Sequence, residues 1–261
     1  MKEKALLAVS FGTSHEDTRQ KTIGAVEQAL SDAFGGWQVE AAYTSPTIRR
    51  ILAGRRQAVP SPEEAMEAMA AQGVRRLLVQ PTHLICGEEY DKLCKAVWQR
   101  EGLFERVQMG QPLLYDLEDY KAVAQAVCEA LPVEPEEALV LMGHGTPHPM
   151  NAVYPALQYV FQSLGMGHVF LGTVEGWPDG PDVVARVQAA GYRKAALAPL
   201  MLVAGDHAKN DMAGPEPDSW KSLLEGAGLP VRCILQGLGE LEAIQQMYVE
   251  HARRALAAWQ D

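Results

Sequence analysis

The chain has 261 residues, a length that suggests about two domains. Hydrophobic residues make up 48% and charged residues 21% of it, an ordinary globular composition that excludes a disordered chain. Lysine and arginine number 23 against 33 aspartates and glutamates, so the net charge is −10, and this excludes the broad basic surface that nucleic acids and anionic membranes attract.

Short apolar runs alternate with helical patterns through the first half of the chain. It opens with a buried strand at Lys4–Phe11, followed by a helix that we expect Ser14 to cap. A stronger helix start is Ser61-Pro62, where a capping serine precedes a proline and Glu64 completes a capping box. The remaining predicted strands are Trp37–Thr44, Val74–Ile85 and Arg106–Pro112. The remaining predicted helices are Glu88–Arg100 and Leu117–Leu131.

Residues 132–137 interrupt this alternation with two prolines and three glutamates, which is typical of a linker. We therefore predict an α/β protein with two domains, 1–131 and 138–261, each holding a parallel sheet of roughly four strands flanked by helices. The last helix of the second domain can pack back on the first. Beyond the linker, the predicted strands are Ala138–Met142, His168–Val174, Arg193–Val203 and Val231–Gln236. The predicted helices are Asn151–Leu164, Asp182–Ala190, Asp218–Gly226 and Leu241–Trp259.

The two halves also resemble each other in sequence. Leu7–His15 aligns with Val140–His148, and Pro81–Glu89 aligns with Pro199–His207, in the same order along the chain. Two matched segments in one order indicate an internal duplication.

The ends of three predicted strands in the second half carry His144, Glu175 and His207, each beside a glycine. Ligands of open α/β sheets bind at the carboxyl ends of the strands, so we expect these side chains to meet. Two imidazoles and a carboxylate suit a divalent transition metal, although each residue alone could be an ordinary loop residue. The matching positions of the first half carry other side chains: Phe11, roughly Thr44, and Glu89.

Other polar residues have plainer interpretations. His83 lies within a strand pattern, so we expect a buried, hydrogen-bonded side chain. The arginines Arg49, Arg50, Arg55 and Arg56 form either a solvated helix end or a clamp for ligand carboxylates. No P-loop, no GxGxxG after a strand and no GxSxG elbow occurs, so nucleotide binding and serine hydrolysis have no motif support.

The four cysteines form no CxxC pair, so we expect reduced thiols in a cytoplasmic protein rather than a zinc site or disulfides. The first apolar run, Ala5–Val9, is shorter than the core of a signal peptide. No stretch approaches the ~20 apolar residues of a membrane span, so we expect neither an exported nor a membrane protein.

Several segments together resemble a known family. They are Ala5–Ser14, Met142–Gly145, Val174-Glu175, and above all Pro199–Met212 with its Leu-Val-Ala-Gly-Asp-His run, followed by Asp218–Trp220. In these residues the chain is similar to the anaerobic sirohydrochlorin cobaltochelatases, ATP-independent class II chelatases related in fold to ferrochelatase.

This resemblance implies two similar flavodoxin-like (Rossmann-like) domains with the active site in the cleft between them. It implies a lyase that inserts Co(II), its substrate metal, into sirohydrochlorin or precorrin-2 on the anaerobic route to cobalamin, without ATP or an organic cofactor. It makes His144 the proton acceptor and makes His144, Glu175 and His207 the metal ligands. The expected cleft residues are Glu89, Ser10, Thr13 and Trp177.

Two other functions stay open. One is the same chemistry with Fe(II) or Ni(II), because affinity order alone does not select the metal. The other is a non-enzymatic protein that binds a metal or a tetrapyrrole. We expect a small-molecule tetrapyrrole as partner, no nucleic acid and no membrane, and the sequence is compatible with a homo-oligomer.

Overall fold

A computed structural model describes residues 3–259 of the chain, and they divide into two compact α/β units. The first unit contains residues 3–115 and 242–259, and the second contains Asp116–Leu241. Each unit holds one four-stranded sheet in which all strands run parallel. The predicted fold class, α/β with two four-stranded parallel sheets flanked by helices, is confirmed.

The sheet of the first unit has the strand order β2-β1-β3-β4. Its central strand is buried throughout Ala5–Val9, which explains the apolar run at the start of the sequence. Met66 and Met69 pack against it in the core. The elements of this unit are β1 (Lys4–Ser10), α1 (Glu16–Lys21), α2 (Ile23–Ala33), β2 (Gln38–Tyr43), α3 (Pro46–Gly54), α4 (Pro62–Ala71), β3 (Arg76–Pro81), α5 (Glu88–Trp98), β4 (Arg106–Met109) and α10 (Glu242–Ala257).

The sheet of the second unit has the matching order β6-β5-β7-β8, so the two sheets share one topology. Its central strand β5 is buried along its whole length. A single π-helical turn, Ala208–Met212, follows the loop after β7. The elements are α6 (Leu117–Ala130), β5 (Glu137–Gly143), α7 (Val153–Ser163), β6 (Val169–Thr173), α8 (Gly180–Ala189), β7 (Lys194–Leu200), α9 (Trp220–Gly226) and β8 (Val231–Cys233).

Two helices pack with the unit formed by the other half of the chain. Helix α6 packs on α7, so contacts divide the chain after Tyr115 rather than at residues 132–137. Helix α10 packs on α2, β3 and β4 of the first unit, where the buried Tyr248 hydroxyl donates a hydrogen bond to the Thr82 carbonyl at 2.8 Å. An apolar face predicts that a helix is buried, but it does not identify the sheet against which the helix packs.

Helix starts follow the sequence signals in one place and depart from them in another. The predicted capping box is present: Ser61 Oγ accepts from Glu64 N, and Glu64 Oε2 accepts from Ser61 N at 2.7 Å. The prediction that Ser14 caps the first helix is wrong, because His15 occupies the N-cap position of α1. That helix also ends early at Thr22, whose hydroxyl donates to the Thr18 carbonyl.

Within residues 3–259, no helix combines the length and the apolar character needed to cross a membrane.

Glu27 on α2 carries a buried carboxyl oxygen with no hydrogen-bond partner among the described residues. Burial raises the pKa of Glu27 to about 7, against a smaller opposing effect of the Arg19 charge. The folded protein therefore keeps a proton that the unfolded chain releases near pH 4.5, so the fold loses stability as the pH rises from about 4.5 to 7.

Glu27→Gln removes this titration, so the variant is expected to be more stable than the parent at pH 8 by roughly 1–3 kcal/mol. At pH 4.5 the two proteins should be nearly equal. Urea unfolding at both pH values measures the difference, with Asp32→Asn on the exposed face of the same helix as the control. A Glu27→Gln variant with the parent's pH dependence would contradict the assignment.

Candidate metal centre

Three side chains meet at the carboxyl end of the second sheet. His144 follows β5, Glu175 follows β6 and His207 follows β7, and one potential ligand atom of each lies within 4.8 Å of the others. Their side chains are 48%, 53% and 34% exposed respectively, so an incoming ion can reach them. Two imidazole nitrogens and one carboxylate oxygen form a donor set that suits a divalent transition metal with open positions.

The register of the parallel strands brings Glu175 beside His144. The ladder between β5 and β6 continues past the strand ends, where Val174 N donates to Gly143 O and Glu175 N donates to His144 O at 2.8 Å. Gly145 has a φ of +81°, and a Cβ there would lie 2.7 Å from Gly176 N. Glycine is therefore required for the two loops to pack together.

The buried Tyr154 holds the backbone around His144. Its hydroxyl accepts a hydrogen bond from Gly145 N at 3.3 Å. Its ring fills the space beside Gly143, where a Cβ would lie only 2.4 Å from Tyr154 Cε1. Burial raises the pKa of Tyr154, so this phenol stays protonated and its support of the loop does not change with pH in the neutral range.

Hydrogen bonds determine which nitrogen of each imidazole is free. His144 Nδ1 lies 2.9 Å from Gly145 O, and His207 Nδ1 lies 2.8 Å from Asp211 Oδ2. A carbonyl and a carboxylate only accept, so both Nδ1 atoms donate, and in the neutral form of each ring the lone pair is at Nε2. The two rings stand 4.6 Å apart between centroids and nearly perpendicular.

Asn151 joins the loop after β5 to the loop after β6. Its Oδ1 accepts from Thr146 N at 3.1 Å, and its Nδ2 donates to Trp177 O at 2.7 Å. Thr146 stands two residues after His144, and Trp177 stands two residues after Glu175. One amide side chain therefore ties together the segments that carry two of the three candidate ligands.

Asn151→Ala removes both bonds and is expected to lower metal affinity about 10-fold, the usual effect of losing an outer partner of a metal site. It should also lower the free energy of unfolding by about 1–2 kcal/mol. Titration calorimetry with Co(II) and urea unfolding measure the two effects, with Gln162→Ala on the exposed surface of α7 as the control. Unchanged affinity in Asn151→Ala would show that the loops keep their places without it.

The remaining candidate residues have separate environments. Ser10 is buried and its hydroxyl lies 2.7 Å from Thr82 Oγ1, so it links β1 to the residue after β3. Thr13 is buried, and its hydroxyl accepts from His15 N at 3.3 Å. These two hydroxyls have structural partners within the first unit. Trp177, in the second unit, keeps its indole 62% exposed.

Glu89 lies in the first turn of α5, where its Oε1 accepts from Lys92 Nζ at 2.7 Å. Burial raises the pKa of Glu89, but the hydrogen bond from Lys92 and the charge of Lys92 oppose burial, and the net pKa lies below its ordinary value. Glu89 is therefore a carboxylate at neutral pH.

The structure corrects two expectations from the sequence. His83 is buried at both ring nitrogens, but neither has a hydrogen-bond partner among the described residues, so the expected bond is absent. Burial lowers the pKa of His83 to about 4, so it is neutral. The first-unit counterpart of Glu175 is Ser45 rather than Thr44, because Ser45 N donates to Phe11 O as Glu175 N does to His144 O.

The four arginines lie on helix α3 and just after it, and two of them bind other residues of the protein. Arg49 forms an ion pair with Glu64 at 3.2 Å, and Arg55 donates to the Ser14 carbonyl at 2.5 Å. Arg50 and Arg56 are exposed.

Sequence reasoning missed three residues that shape the site: Asn151, Tyr154 and Asp211. Asp211 had a readable signal, since it stands four residues after His207, a spacing that brings side chains together on a helical turn. Asn151 and Tyr154 had none, because their partners lie on another loop or in the buried backbone.

Comparison with known proteins gives full-length matches. Residues 4–257 match the family model described as cobalt chelatase (CbiK). The chain is 39% identical over 256 residues to the sirohydrochlorin cobaltochelatase of Salmonella typhimurium, covering 97% of each chain. It is 34% identical over 265 residues to the sirohydrochlorin cobaltochelatase CbiKC of Nitratidesulfovibrio vulgaris, covering 100% of this chain and 93% of the relative.

Solved structures with the same fold include SirB from Bacillus subtilis with Fe3+, at a TM-score of 0.68 and 15% identity, covering 99% of this chain and 97% of that one. CbiX, described as the terminal enzyme for siroheme biosynthesis in denitrifying bacteria, matches at a TM-score of 0.55 and 17% identity, covering 96% and 99%. At these identities the similarity extends to the fold alone.

Proposed function

Because the chain belongs to the cobalt chelatase (CbiK) family, and is thus a lyase, we propose that it inserts Co(II) into sirohydrochlorin through His144, Glu175 and His207. The observation that carries the proposal is the meeting of these three side chains within 4.8 Å at the strand ends of the second unit. Co(II) is a substrate here, held briefly and then passed to the macrocycle.

The donor set fits a transient metal site. Neutral imidazoles and one carboxylate bind a hydrated divalent ion, but they do not hold it as firmly as a cage of thiolates. The ion can therefore leave for the four nitrogens of the tetrapyrrole. Binding by those four nitrogens is favourable by itself, so the proposed reaction needs no ATP and no organic cofactor.

We assign His144 two roles that follow each other in time. A free-base tetrapyrrole carries two inner N–H protons, and the metal must displace both. The Nδ1 of His144 is engaged with Gly145 O, so its Nε2 lone pair is the single pair available for metal or proton. His144 therefore binds Co(II) first and accepts a proton once the ion has moved to the ring.

For the second proton we propose Glu89, which the family resemblance implies. Its lowered pKa keeps it ionised at neutral pH, so it is able to accept a proton. The exposed indole of Trp177, two residues after Glu175, offers a flat apolar surface to a macrocycle. We also propose a cytoplasmic location, which the four free cysteines support.

The test is to mix the protein with sirohydrochlorin and Co(II) and to follow the absorbance spectrum of the macrocycle over many turnovers. Parallel assays use Fe(II) and Ni(II) in place of Co(II), and we expect the highest kcat/KM with Co(II). A preference for Fe(II) or Ni(II) would overturn the choice of metal. Binding in equal amounts without turnover would identify a metal- or tetrapyrrole-binding protein instead.

A further inference from the structure

The candidate ligand His207 is held by a carboxylate that has no role in the function proposed above. Asp211 Oδ2 accepts a hydrogen bond from His207 Nδ1 at 2.8 Å. The two residues stand four positions apart across the π-helical turn Ala208–Met212. Single π-helical turns are rare and occur frequently at functional sites.

Buried neighbours fix the place of this exposed carboxylate. Ala208 and Met212, at the two ends of the turn, are completely buried in the core of the second unit. Gly214 N donates to Asn210 O at 2.9 Å, and a Cβ on Gly214 would lie only 2.3 Å from that oxygen. The backbone around Asp211 is therefore anchored although its side chain is about half exposed.

The two imidazoles of the site are held in different ways. The partner of His144 Nδ1 is the neutral carbonyl of Gly145, whereas the partner of His207 Nδ1 is the charged carboxylate of Asp211. A hydrogen bond to an ionised acceptor is roughly twice as strong as one between neutral groups. His207 thus has the stronger of the two Nδ1 hydrogen bonds, since the carboxylate nearest to His144 Nδ1, that of Glu175, lies at 3.8 Å, beyond hydrogen-bond distance.

We propose that Asp211 is a positioning residue that keeps the proton of His207 on Nδ1, aims Nε2 at the metal, and makes His207 the anchor ligand of the site. A carboxylate behind a metal-binding histidine fixes the tautomer and ring orientation, and its loss costs 10- to 100-fold in metal affinity in other proteins. This inference rests on the proposed function, because it concerns the same three ligands.

The test compares Asp211→Ala and Asp211→Asn with the parent by calorimetric titration of Co(II) and by steady-state kinetics. Both variants should bind Co(II) about 10- to 100-fold more weakly, with an increased KM for Co(II) and an unchanged KM for sirohydrochlorin. Asparagine has nearly the shape of aspartate but can also donate from its amide, so it does not keep the proton on Nδ1. Glu216→Ala, which removes an exposed acid five residues further on, should bind like the parent.

A double-variant cycle with His207→Ala shows whether Asp211 acts through His207. Removal of Asp211 from the His207→Ala protein should weaken Co(II) binding by less than twofold, because no ring remains to orient. An equal loss in both backgrounds would overturn the inference, since Asp211 would then attract the ion directly. Parental Co(II) binding by Asp211→Asn, beside weak binding by His207→Ala, would also overturn it and leave the proposed function intact. Parental binding by His207→Ala would instead overturn the proposed metal site.

Discussion

His144→Ala is expected to lower the kcat of cobalt insertion by about 10³- to 10⁴-fold, because the change removes the proposed proton acceptor together with one metal ligand. The backbone should keep its place, since the Tyr154 hydroxyl bonds Gly145 N and the β5–β6 ladder bonds the His144 carbonyl rather than its ring. The measurement is the initial rate of formation of the cobalt macrocycle, followed by absorbance at saturating Co(II).

His168→Ala is the matched control for this change. His168 lies in the same unit but directly before β6, at the end of the strand opposite to Glu175, so its loss should leave turnover nearly normal. Circular dichroism and thermal unfolding check that both variants fold. Near-normal turnover in the His144→Ala protein would remove His144 from the mechanism.

The second large effect concerns metal affinity rather than turnover. Glu175→Ala and His207→Ala should each weaken Co(II) binding at least about 100-fold, or roughly 2.7 kcal/mol, since a lost ligand costs no less than a lost outer partner. The KM for sirohydrochlorin should change little. Titration calorimetry in the absence of the macrocycle separates metal binding from the reaction.

Asp182→Asn serves as the control for Glu175→Ala, because it removes a partly exposed carboxylate from the next helix, α8. This variant should bind Co(II) like the parent, which excludes a general effect of the acidic surface. Parental Co(II) affinity in both Glu175→Ala and His207→Ala would contradict the ligand assignment.

Much of the fold could be predicted because hydrophobic periodicity is a local property. The structure confirms the predicted burial of Ala5–Val9 and the predicted capping box at Ser61. The same holds for the order of strands and helices in the second half, whereas in the first half the prediction omitted helix α3. The candidates His144, Glu175 and His207 could be chosen for a related reason: parallel strands all end at one edge of their sheet, so a polar residue just after each strand lies near the others.

The geometry of the site depends on hydrogen bonds between residues far apart in the chain, and a local sequence pattern does not predict these bonds. Ser45 replaces Thr44 as the counterpart of Glu175 because one hydrogen bond past the strand end sets the register. The link made by Asn151 between two loops and the support from Tyr154 also join residues far apart in the chain.

The α/β class, the two similar halves and the three side chains of the candidate metal centre could be predicted before the fold was known. Burial patterns and strand ends are local features of the amino-acid sequence. The folded structure was needed to place α6 with the second sheet and α10 with the first, since the apolar face of a helix can pack on either sheet. It also decided that His207 is held by a carboxylate and His144 by a carbonyl. The orientation of each imidazole ring depends on hydrogen bonds, and the partners in these bonds become neighbours only when the chain folds.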